Sequence, residues 1–304
     1  MKRKALFIIN PISGGKKKDG VPELIEKYLD AAIFEAVVVF SDGIEHARQI
    51  AKEAVNKFQL VIAVGGDGTV NEVASAIVGN DTVLGIIPYG SGNGLSRFLG
   101  ISMDPVKAIK NLGLGHVEVI DSAKLNGQPF FNMAGMGFDA HISEVFSHGK
   151  KRGFFTYIKS SIQEIAKYKP QAYRLEIDGK VYEREAFMLS FANSSQYGNN
   201  AHISPNASVQ DGLLDVCVIK QFPVWRLVEM GIRMVTKTSD KTKYVEIIRG
   251  KIIKVKRSSP GPVHLDGEPQ ITGMDVLIEV VPHSLKVIVG NSYKKKSKVL
   301  SRKS

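Results

Sequence analysis

The sequence is poor in cysteine and tryptophan, and it has no long apolar run. Cys217 is the only cysteine among 304 residues, which excludes an internal disulfide and a cysteine-rich zinc site. No stretch approaches the ~20 apolar residues that a membrane-spanning helix needs, and the first apolar run is too short for a secretory signal. These features fit a reducing compartment, and we expect the chain to stay in the cytoplasm.

Length and charge suggest two globular domains and an anionic partner. At roughly 150 residues per domain, 304 residues predict two domains. The net charge is +11, and residues 291–304 carry many Lys and Arg side chains and no acid. Such a balance suits nucleotides, nucleic acid or an acidic membrane surface, although a solvated, flexible tail explains residues 291–304 as well.

The first third of the chain alternates apolar strands with amphipathic helices. Asp42 and Glu45 have the spacing of a capping box, which predicts that a helix opens there. Continuous apolar strands separated by helices are typical of a parallel sheet covered on both faces. The predicted strands are residues 5–9, 36–40, 60–64 and 83–87.

Three of these four strands run into glycine-bearing loops. The loops are 13–15, 65–69 and 90–94. In open α/β sheets, ligands bind beyond the carboxyl ends of the strands, and glycines let backbone N–H groups approach a phosphate. One such loop alone would indicate only a tight turn, but three at one sheet edge predict a phosphate site.

Two common nucleotide motifs are missing, and an acidic residue stands in one loop. The chain has no G-x-x-x-x-G-K-[ST], and no G-x-G-x-x-G opens the first helix, which disfavours P-loop NTPases and dehydrogenases. Asp67 would repel phosphate unless it binds a cation or accepts a hydrogen bond from a hydroxyl group. It therefore indicates Mg²⁺ or an alcohol acceptor.

These residues resemble the diacylglycerol kinase catalytic-domain family, which also includes sphingosine and ceramide kinases. Residues 10–15, NPISGG, are similar to its NPxSG motif, and residues 65–73, GGDGTVNEV, are similar to its GGDGTxNEV motif. Residues 90–93, GSGN, are closer to the GSGN of sphingosine kinases than to the GTxNDF of many bacterial diacylglycerol kinases. The resemblance extends over residues 4–290.

The resemblance implies an ATP-dependent lipid kinase with Mg²⁺ and with the nucleotide between two domains. Ser41 is similar to the family's Thr near the nucleoside, although a helix N-terminus explains it as well. The implied nucleotide-binding residues are Asn10, Ser13, Gly14, Ser41, Gly65, Gly66, Asp67, Gly68, Thr69, Gly90, Ser91, Gly92 and Asn93.

From about residue 117 the pattern changes to short strands and hairpin turns. Asn126-Gly127 and Asp178-Gly179 are hairpin signals, and they predict an antiparallel β-sandwich. We therefore predict an α/β nucleotide-binding domain over 1–121 and a β-sandwich substrate domain over 122–283, and the resemblance implies that a strand at 284–290 returns to the first domain. A helix is predicted over 154–168.

Acidic residues of the second domain supply the remaining candidates. Asp266 and Glu268 resemble the family's DGE element and are predicted to act opposite Asp67, with Glu268 the favoured group to orient the acceptor hydroxyl. Asp211 resembles a structural Mg²⁺ ligand, although an ordinary turn also explains it. Asp139 resembles the residue that meets the lipid head group in sphingosine kinases.

Three functions remain in competition at the level of the sequence. The first is a lipid kinase acting on diacylglycerol or a sphingoid base, and the second is an NAD kinase, which shares the GGDG loop. The third is a non-enzymatic module that binds nucleic acid or membrane through the basic tail; no RNP-like motif supports nucleic acid. A lipid kinase must visit the bilayer, so we expect peripheral contact with an anionic membrane. A homodimer is left open.

Overall fold

The computed structural model describes residues 2–15, 17–141 and 168–293. The chain forms two compact units, one of residues 1–121 with 282–304 and one of residues 122–281. We call them the α/β unit and the inserted unit. The predicted helix 154–168 lies outside the described residues except for Tyr168, as does the tail beyond Tyr293.

The α/β unit is built on a parallel sheet. The strand order is β2-β1-β3-β4, and the last strand of the chain returns beside β4, where Val287 pairs with Leu84 in the parallel sense. The interior of β1 and β3 is fully apolar and buried, as expected for a sheet covered on both faces. The strands are β1 Arg3–Ile9, β2 Phe34–Phe40, β3 Leu60–Gly65 and β4 Val83–Pro88.

Five helices accompany this sheet among the residues described. Helix α3 buries Val70, Val73 and Ile77, each of which contributes about 1.5–3 kcal/mol by leaving water. The helices α2 and α3 pack together, and α1 packs with α5. Their bounds are α1 Val21–Tyr28, α2 His46–Ala54, α3 Asp67–Ile77, α4 Gly94–Phe98 and α5 Pro105–Gly113.

The capping box predicted at Asp42 is wrong. Helix α2 begins at His46, and the preceding Glu45 has a left-handed backbone with φ 65°. The Asp42 backbone N–H donates to His46 Nδ1 at 2.8 Å, so the turn is closed by the histidine side chain instead of by the aspartate.

The inserted unit contains two antiparallel sheets. The chain enters it through β5 and leaves it through β16, each of which begins in one unit and ends in the other. One sheet has the order β12-β11-β10-β7-β14-β15, and the second contains β9, β8, β13 and the first part of β16. The elements are β5 Val117–Leu125, β6 Gln128–Phe130, β7 Met133–Gly137, β8 Gln171–Ile177, β9 Lys180–Ala186, β10 Met188–Ala192, β11 Leu214–Ile219, α6 Leu227–Val235, β12 Val245–Gly250, β13 Ile252–Arg257, β14 Gly261–Leu265, β15 Glu268–Thr272 and β16 Asp275–Ile288.

Alternation of side chains assigns the two faces of the six-stranded sheet. Leu189 and Phe191 of β10 point into the apolar core between the sheets, which β8 and β13 complete. Ala192 and Cys217 point to the opposite face, where Met230 of α6 covers them. The predicted β-sandwich is therefore confirmed, and with it the α/β class of the first unit.

Helix α6 has no counterpart in the elements predicted from the sequence, and neither has α5. None of the helices that the structure describes is both long and apolar enough to cross a membrane.

Candidate functional site

The glycine-bearing loops meet at one edge of the parallel sheet. Ile9 of β1 is paired with both Phe40 of β2 and Val64 of β3, and Gly65 is paired with Pro88 of β4. The residues that follow these strands therefore leave the sheet side by side. The predicted phosphate site is assembled from loops that are up to 80 residues apart in the sequence.

Asp67 joins two of these loops. Its Oδ2 accepts the Asn93 backbone N–H and its Oδ1 accepts the Gly94 N–H, both at 2.9 Å. Those two amides belong to the start of α4, where a negative charge is favourable. Asp67 is thus an anchor that draws the loop of residues 90–94 against the N-terminus of α3, and its charge is offset by backbone N–H groups.

Glycine is required where the loops touch. Gly14 has φ +67°, and a Cβ on it would lie 1.8 Å from the Tyr89 carbonyl oxygen. A Cβ on Gly90 would lie 2.6 Å from the Cα of Gly66. Any side chain at these positions would force the backbones apart, so the glycines set the close spacing of the loops.

One polar side chain joins two of the loops, and others fix the conformation of a single loop. Asn10 Nδ2 donates to Thr69 Oγ1 at 3.1 Å, and Ser13 Oγ donates to the Asn10 carbonyl at 3.4 Å. Asn93 accepts the Gly90 N–H at 3.0 Å, and Arg97 Nε donates to the Gly92 carbonyl at 3.0 Å. The Asn10–Thr69 bond therefore links two loops, and the other three bonds act within one loop or between a loop and the helix after it.

The other nucleotide-binding candidates lie at the same edge. Ser41 is buried, and its backbone N–H donates to the Ile9 carbonyl at 2.9 Å. Gly68 lies in the first turn of α3, and Ser91 is exposed at the tip of its loop. The structure thus brings every candidate of the α/β unit to the carboxyl edge, and their contact with nucleotide stays a prediction.

Sequence reasoning did not single out Lys18 as a site residue. The side chain is only 2% exposed, and its Nζ donates to the Ser13 carbonyl and lies 5.4 Å from the centre of the Tyr89 ring. Burial lowers the pKa of this lysine. A buried cation behind the first glycine loop adds positive potential at the predicted phosphate site. The only signal in the sequence is that Lys18 is the last of three consecutive lysines.

Glu72 of the GGDGTVNEV segment hydrogen-bonds to the start of a neighbouring helix. Its carboxylate accepts the Arg48 backbone N–H at 3.3 Å at the start of α2. Burial raises the pKa of Glu72, and the hydrogen bonds from this helix start oppose that shift. Within this motif, Asp67 therefore shapes the loop, whereas Glu72 holds the start of α2.

In the inserted unit, Asp266 and Gly267 form the tight turn between β14 and β15. Both have positive φ, 50° and 93°, as in the two-residue turns that suit twisted hairpins. The Asp266 carboxylate accepts the backbone N–H groups of Phe131, Asn132 and Met133 at 2.8–3.0 Å. Asp266 is thus bound to the start of β7, while Glu268, two residues on, is exposed.

A buried polar cluster lies beneath this turn. His264 Nε2 is 2.7 Å from Asp139 Oδ2, and the Tyr197 hydroxyl donates to the same oxygen at 2.9 Å. A Cβ on Gly135 would lie 2.5 Å from both His264 and Asp139, so the bare backbone makes room for the pair. Burial alone would lower the pKa of His264, but the Asp139 carboxylate outweighs it and the pKa is raised.

The Asp211 candidate lies in the turn before β11. Its carboxylate accepts the Leu213 N–H at 3.2 Å, and the Arg249 guanidinium lies 3.9 Å from it and 2.9 Å from Asp215. Within residues 2–15, 17–141 and 168–293, no three His, Cys, Asp or Glu side chains are grouped so that they could hold a metal ion. Arginine already supplies positive charge there, and a metal role for Asp211 stays a prediction.

The fold and the site define a class. An α/β unit whose interlocked glycine loops face the N-terminus of a helix, with a β-sandwich inserted before the last strand, is the plan of a two-unit kinase that takes its phosphate from a nucleotide. Comparison with known protein families agrees with this class of kinase and identifies the family within it.

Two family models match the chain in succession. The model of the diacylglycerol kinase catalytic domain matches residues 4–125, and that of the YegS C-terminal NAD kinase beta sandwich-like domain matches residues 132–289. The chain belongs to the diacylglycerol kinase family, and it is a lipid kinase.

Relatives and solved structures are similar over nearly the whole length. A diacylglycerol kinase of Bacillus subtilis is 28% identical, covering 88% of this chain and 90% of the relative, and one of Staphylococcus aureus is 28% identical over 88% and 87%. The crystal structure of a diacylglycerol kinase from Bacillus anthracis superposes with a TM-score of 0.75 at 25% identity, covering 96% and 98% of the two chains.

The alternative enzyme is more distant. An NAD kinase from Archaeoglobus fulgidus, solved in complex with ATP, has a TM-score of 0.54 at 14% identity, with 98% of each chain covered. That likeness concerns the fold alone.

Proposed function

We propose that this lipid kinase transfers the γ-phosphate of ATP to the free hydroxyl of diacylglycerol. The observation that carries the proposal is the anchoring of Asp67 to the Asn93 and Gly94 amides, which joins two glycine loops into one cradle. The names of the relatives, diacylglycerol kinases of Bacillus subtilis and Staphylococcus aureus, support the choice of acceptor.

The cradle binds phosphate through backbone groups. The first N–H groups of α3 have no partner within the helix, and the helix dipole adds positive potential at the same place. During transfer, the bond between the γ-phosphorus and the bridging oxygen of ADP breaks, a bond from the acceptor oxygen to phosphorus forms, and the hydroxyl proton passes to the carboxylate that accepts its hydrogen bond. Because the transition state is loose, positioning and charge neutralisation supply most of the catalysis.

The donor set fits magnesium that arrives with the nucleotide. Mg²⁺ is commonly held by one or two carboxylates together with substrate phosphates, and Asp67 is the carboxylate within the cradle. The ion would neutralise charge on the phosphates. Asp67 also holds the two loops in register, and that role needs no ion.

The acidic hairpin turn supplies the groups for the acceptor. We assign Glu268 to accept the hydrogen bond from the acceptor hydroxyl, because its side chain is exposed and can reach a ligand. Asp266 acts as a positioning residue, since its carboxylate is occupied by three backbone N–H groups at the start of β7.

The surroundings of Asp139 favour diacylglycerol over a sphingoid base. A sphingoid amine is cationic and would need a carboxylate that carries its full negative charge. Asp139 is already paired with His264, whose Nε2 lies 2.7 Å from its carboxylate, and it accepts the Tyr197 hydroxyl at 2.9 Å. The lipid head-group role predicted for Asp139 is therefore better suited to a neutral glycerol hydroxyl.

A lipid-panel assay tests the proposal. The enzyme is incubated with radiolabelled ATP, Mg²⁺ and separately diacylglycerol, sphingosine or ceramide, and we expect label in phosphatidic acid. Asp67→Asn should reduce the rate by about 10²-fold or more. Asp81→Asn, at an exposed site in the same unit, is the matched control and should retain activity.

Other products would refute the assignment. Label in a sphingoid phosphate with none in phosphatidic acid would change the acceptor. Formation of NADP from NAD and ATP, with no labelled lipid, would replace the lipid kinase by an NAD kinase.

A further inference from the structure

Helix α6 exposes an apolar stripe that nothing in the described part of the chain covers. Trp225 and Val228 are each 72% exposed, Ile232 is 58% exposed and Val235 is 60% exposed. Their spacing of three or four residues places them on one side of the helix and its preceding turn. The other side buries Met230 against the six-stranded sheet, so the helix is held firmly with its apolar stripe outward.

Basic side chains lie next to the stripe. Arg226 stacks on Trp225, with its guanidinium 4.5 Å from the ring centre, and Lys243 and Arg226 both lie over the Tyr244 ring. Lys241 lies in the short turn that packs against α6. The acidic Glu229 is neutralised by ion pairs with Arg226 and Arg233.

We propose that α6, with Trp225, is the element by which this enzyme inserts into the surface of an anionic phospholipid bilayer. Apolar side chains bordered by Lys and Arg, with tryptophan at the boundary, are the features of helices that lie in the interface of a membrane. The proposal rests on the proposed function, because a diacylglycerol acceptor is found in the bilayer.

A second copy of this chain is a poorer occupant. A twofold interface through α6 would place the same surface against itself, so a patch that carries Lys241 and Lys243 would meet a patch of the same sign. Like charges facing each other oppose association, whereas phosphatidylglycerol head groups offer the opposite charge.

The chain carries its own probe for the test. Trp225 is the only tryptophan of the chain, so intrinsic fluorescence reports on this site alone. On addition of vesicles of equimolar phosphatidylcholine and phosphatidylglycerol, we expect a blue shift of the emission, quenching by brominated lipid, and co-sedimentation that weakens as salt is added. Vesicles of phosphatidylcholine alone should bind less.

Matched variants distinguish binding through the stripe from non-specific hydrophobic binding. Val228→Ser with Ile232→Ser keeps Trp225 and should weaken vesicle binding roughly tenfold or more, because two apolar side chains no longer leave water. Val181→Ser with Ile271→Ser changes two exposed apolar residues on strands of the same unit and should leave binding unchanged. Lys241→Gln with Lys243→Gln should reduce the salt dependence.

The outcomes distinguish this inference from the proposed function. The Val228 and Ile232 variant should phosphorylate short-chain diacylglycerol dispersed in water at the wild-type rate and lose activity on diacylglycerol in vesicles. Vesicle binding with unchanged Trp225 emission, or equal binding by the variant, would overturn the role of α6. A blue shift that depends on protein concentration and occurs without vesicles would identify a second copy as the occupant. If the wild type and the variant both failed to phosphorylate dispersed diacylglycerol, only the proposed acceptor would be refuted, and the role of α6 would be judged by vesicle binding.

Discussion

At the scale of single residues, the cradle depends on backbone approaches that only glycine allows. Gly14 and Gly15 have nearly the same φ, +67° and +65°. A Cβ on Gly14 would meet the Tyr89 carbonyl, whereas a Cβ on Gly15 would find no atom within 4 Å. Alanine substitutions at these two positions therefore separate the free-energy cost of a left-handed non-glycine residue from the cost of a steric clash.

Gly14→Ala should impair the enzyme much more than Gly15→Ala. Both changes cost about 1–2 kcal/mol for the left-handed backbone, but only the first must also push the 90–94 loop away. We expect the KM for ATP to rise at least about tenfold in Gly14→Ala and to stay near the wild-type value in Gly15→Ala. Steady-state kinetics with thermal denaturation would measure this, and equal effects of the two variants would show that the collision is harmless.

Substitutions of the two carboxylates at the hairpin turn should affect different properties, stability for Asp266 and kcat for Glu268. Asp266→Asn places an amide against three backbone N–H groups and should lower the free energy of unfolding by about 1–3 kcal/mol. Glu268→Gln changes an exposed side chain and should shift stability by less than about 0.5 kcal/mol, while kcat falls roughly 10²-fold.

Denaturant titrations and initial rates on the same preparations measure both quantities. Asp275→Asn, at an exposed strand end, is the control and should alter neither. If Glu268→Gln retained full activity, Glu268 would lose its assigned role.

At the scale of elements, the β7–β14 pair is tied together by a buried histidine. Because the pKa of His264 is raised in the folded state, protonation stabilises the fold. That contribution is complete below the ordinary histidine pKa of about 6.5 and is lost as the pH rises through the folded value.

The stability advantage of the wild type over His264→Gln should therefore decline as the pH rises above about 6.5. Urea unfolding at a series of pH values would measure the difference. In Asp139→Asn the partner charge is gone, and burial then lowers the pKa of His264, so the trend should vanish or reverse. A difference that grew with pH in the wild type would contradict the raised pKa.

Elements also show where sequence reasoning succeeded. Parallel strands and their glycine loops were predictable because apolar runs and turn residues are local signals. The His264–Asp139 pair was not, because the two residues are 125 positions apart and only the register of β7 and β14 brings them together. Helix α6 and its exposed side were missed because no helix was predicted there, and only the packing of Met230 against the six-stranded sheet decides which side faces outward.

At the scale of the whole molecule, the α/β unit is completed by the end of the chain. Leu285, Val287, Ile288 and Val289 are buried within it. At about 1.5–3 kcal/mol for each side chain, their loss is comparable with the ~5–15 kcal/mol that stabilises a typical domain.

Truncation after Val281 should therefore unfold the α/β unit. Truncation after Tyr293 keeps this strand, removes most of the basic tail, and should leave the melting temperature unchanged. Hydrogen exchange of β4 and β1 would report the difference, and protected amides in the shorter chain would show that the returning strand is dispensable.

The sequence by itself determined the alternation of strands and helices in the first third of the chain, the glycine loops and the resemblance to the kinase family, because these depend on local periodicity and on motifs within a few residues. The tertiary structure alone decided that Asp67 bonds to Asn93 and Gly94, that Asp266 is bound to β7 while Glu268 is exposed, and that Trp225 faces outward. Each of these depends on which distant backbone donors and surfaces meet when the strands pair, and such contacts leave no pattern in the neighbouring residues.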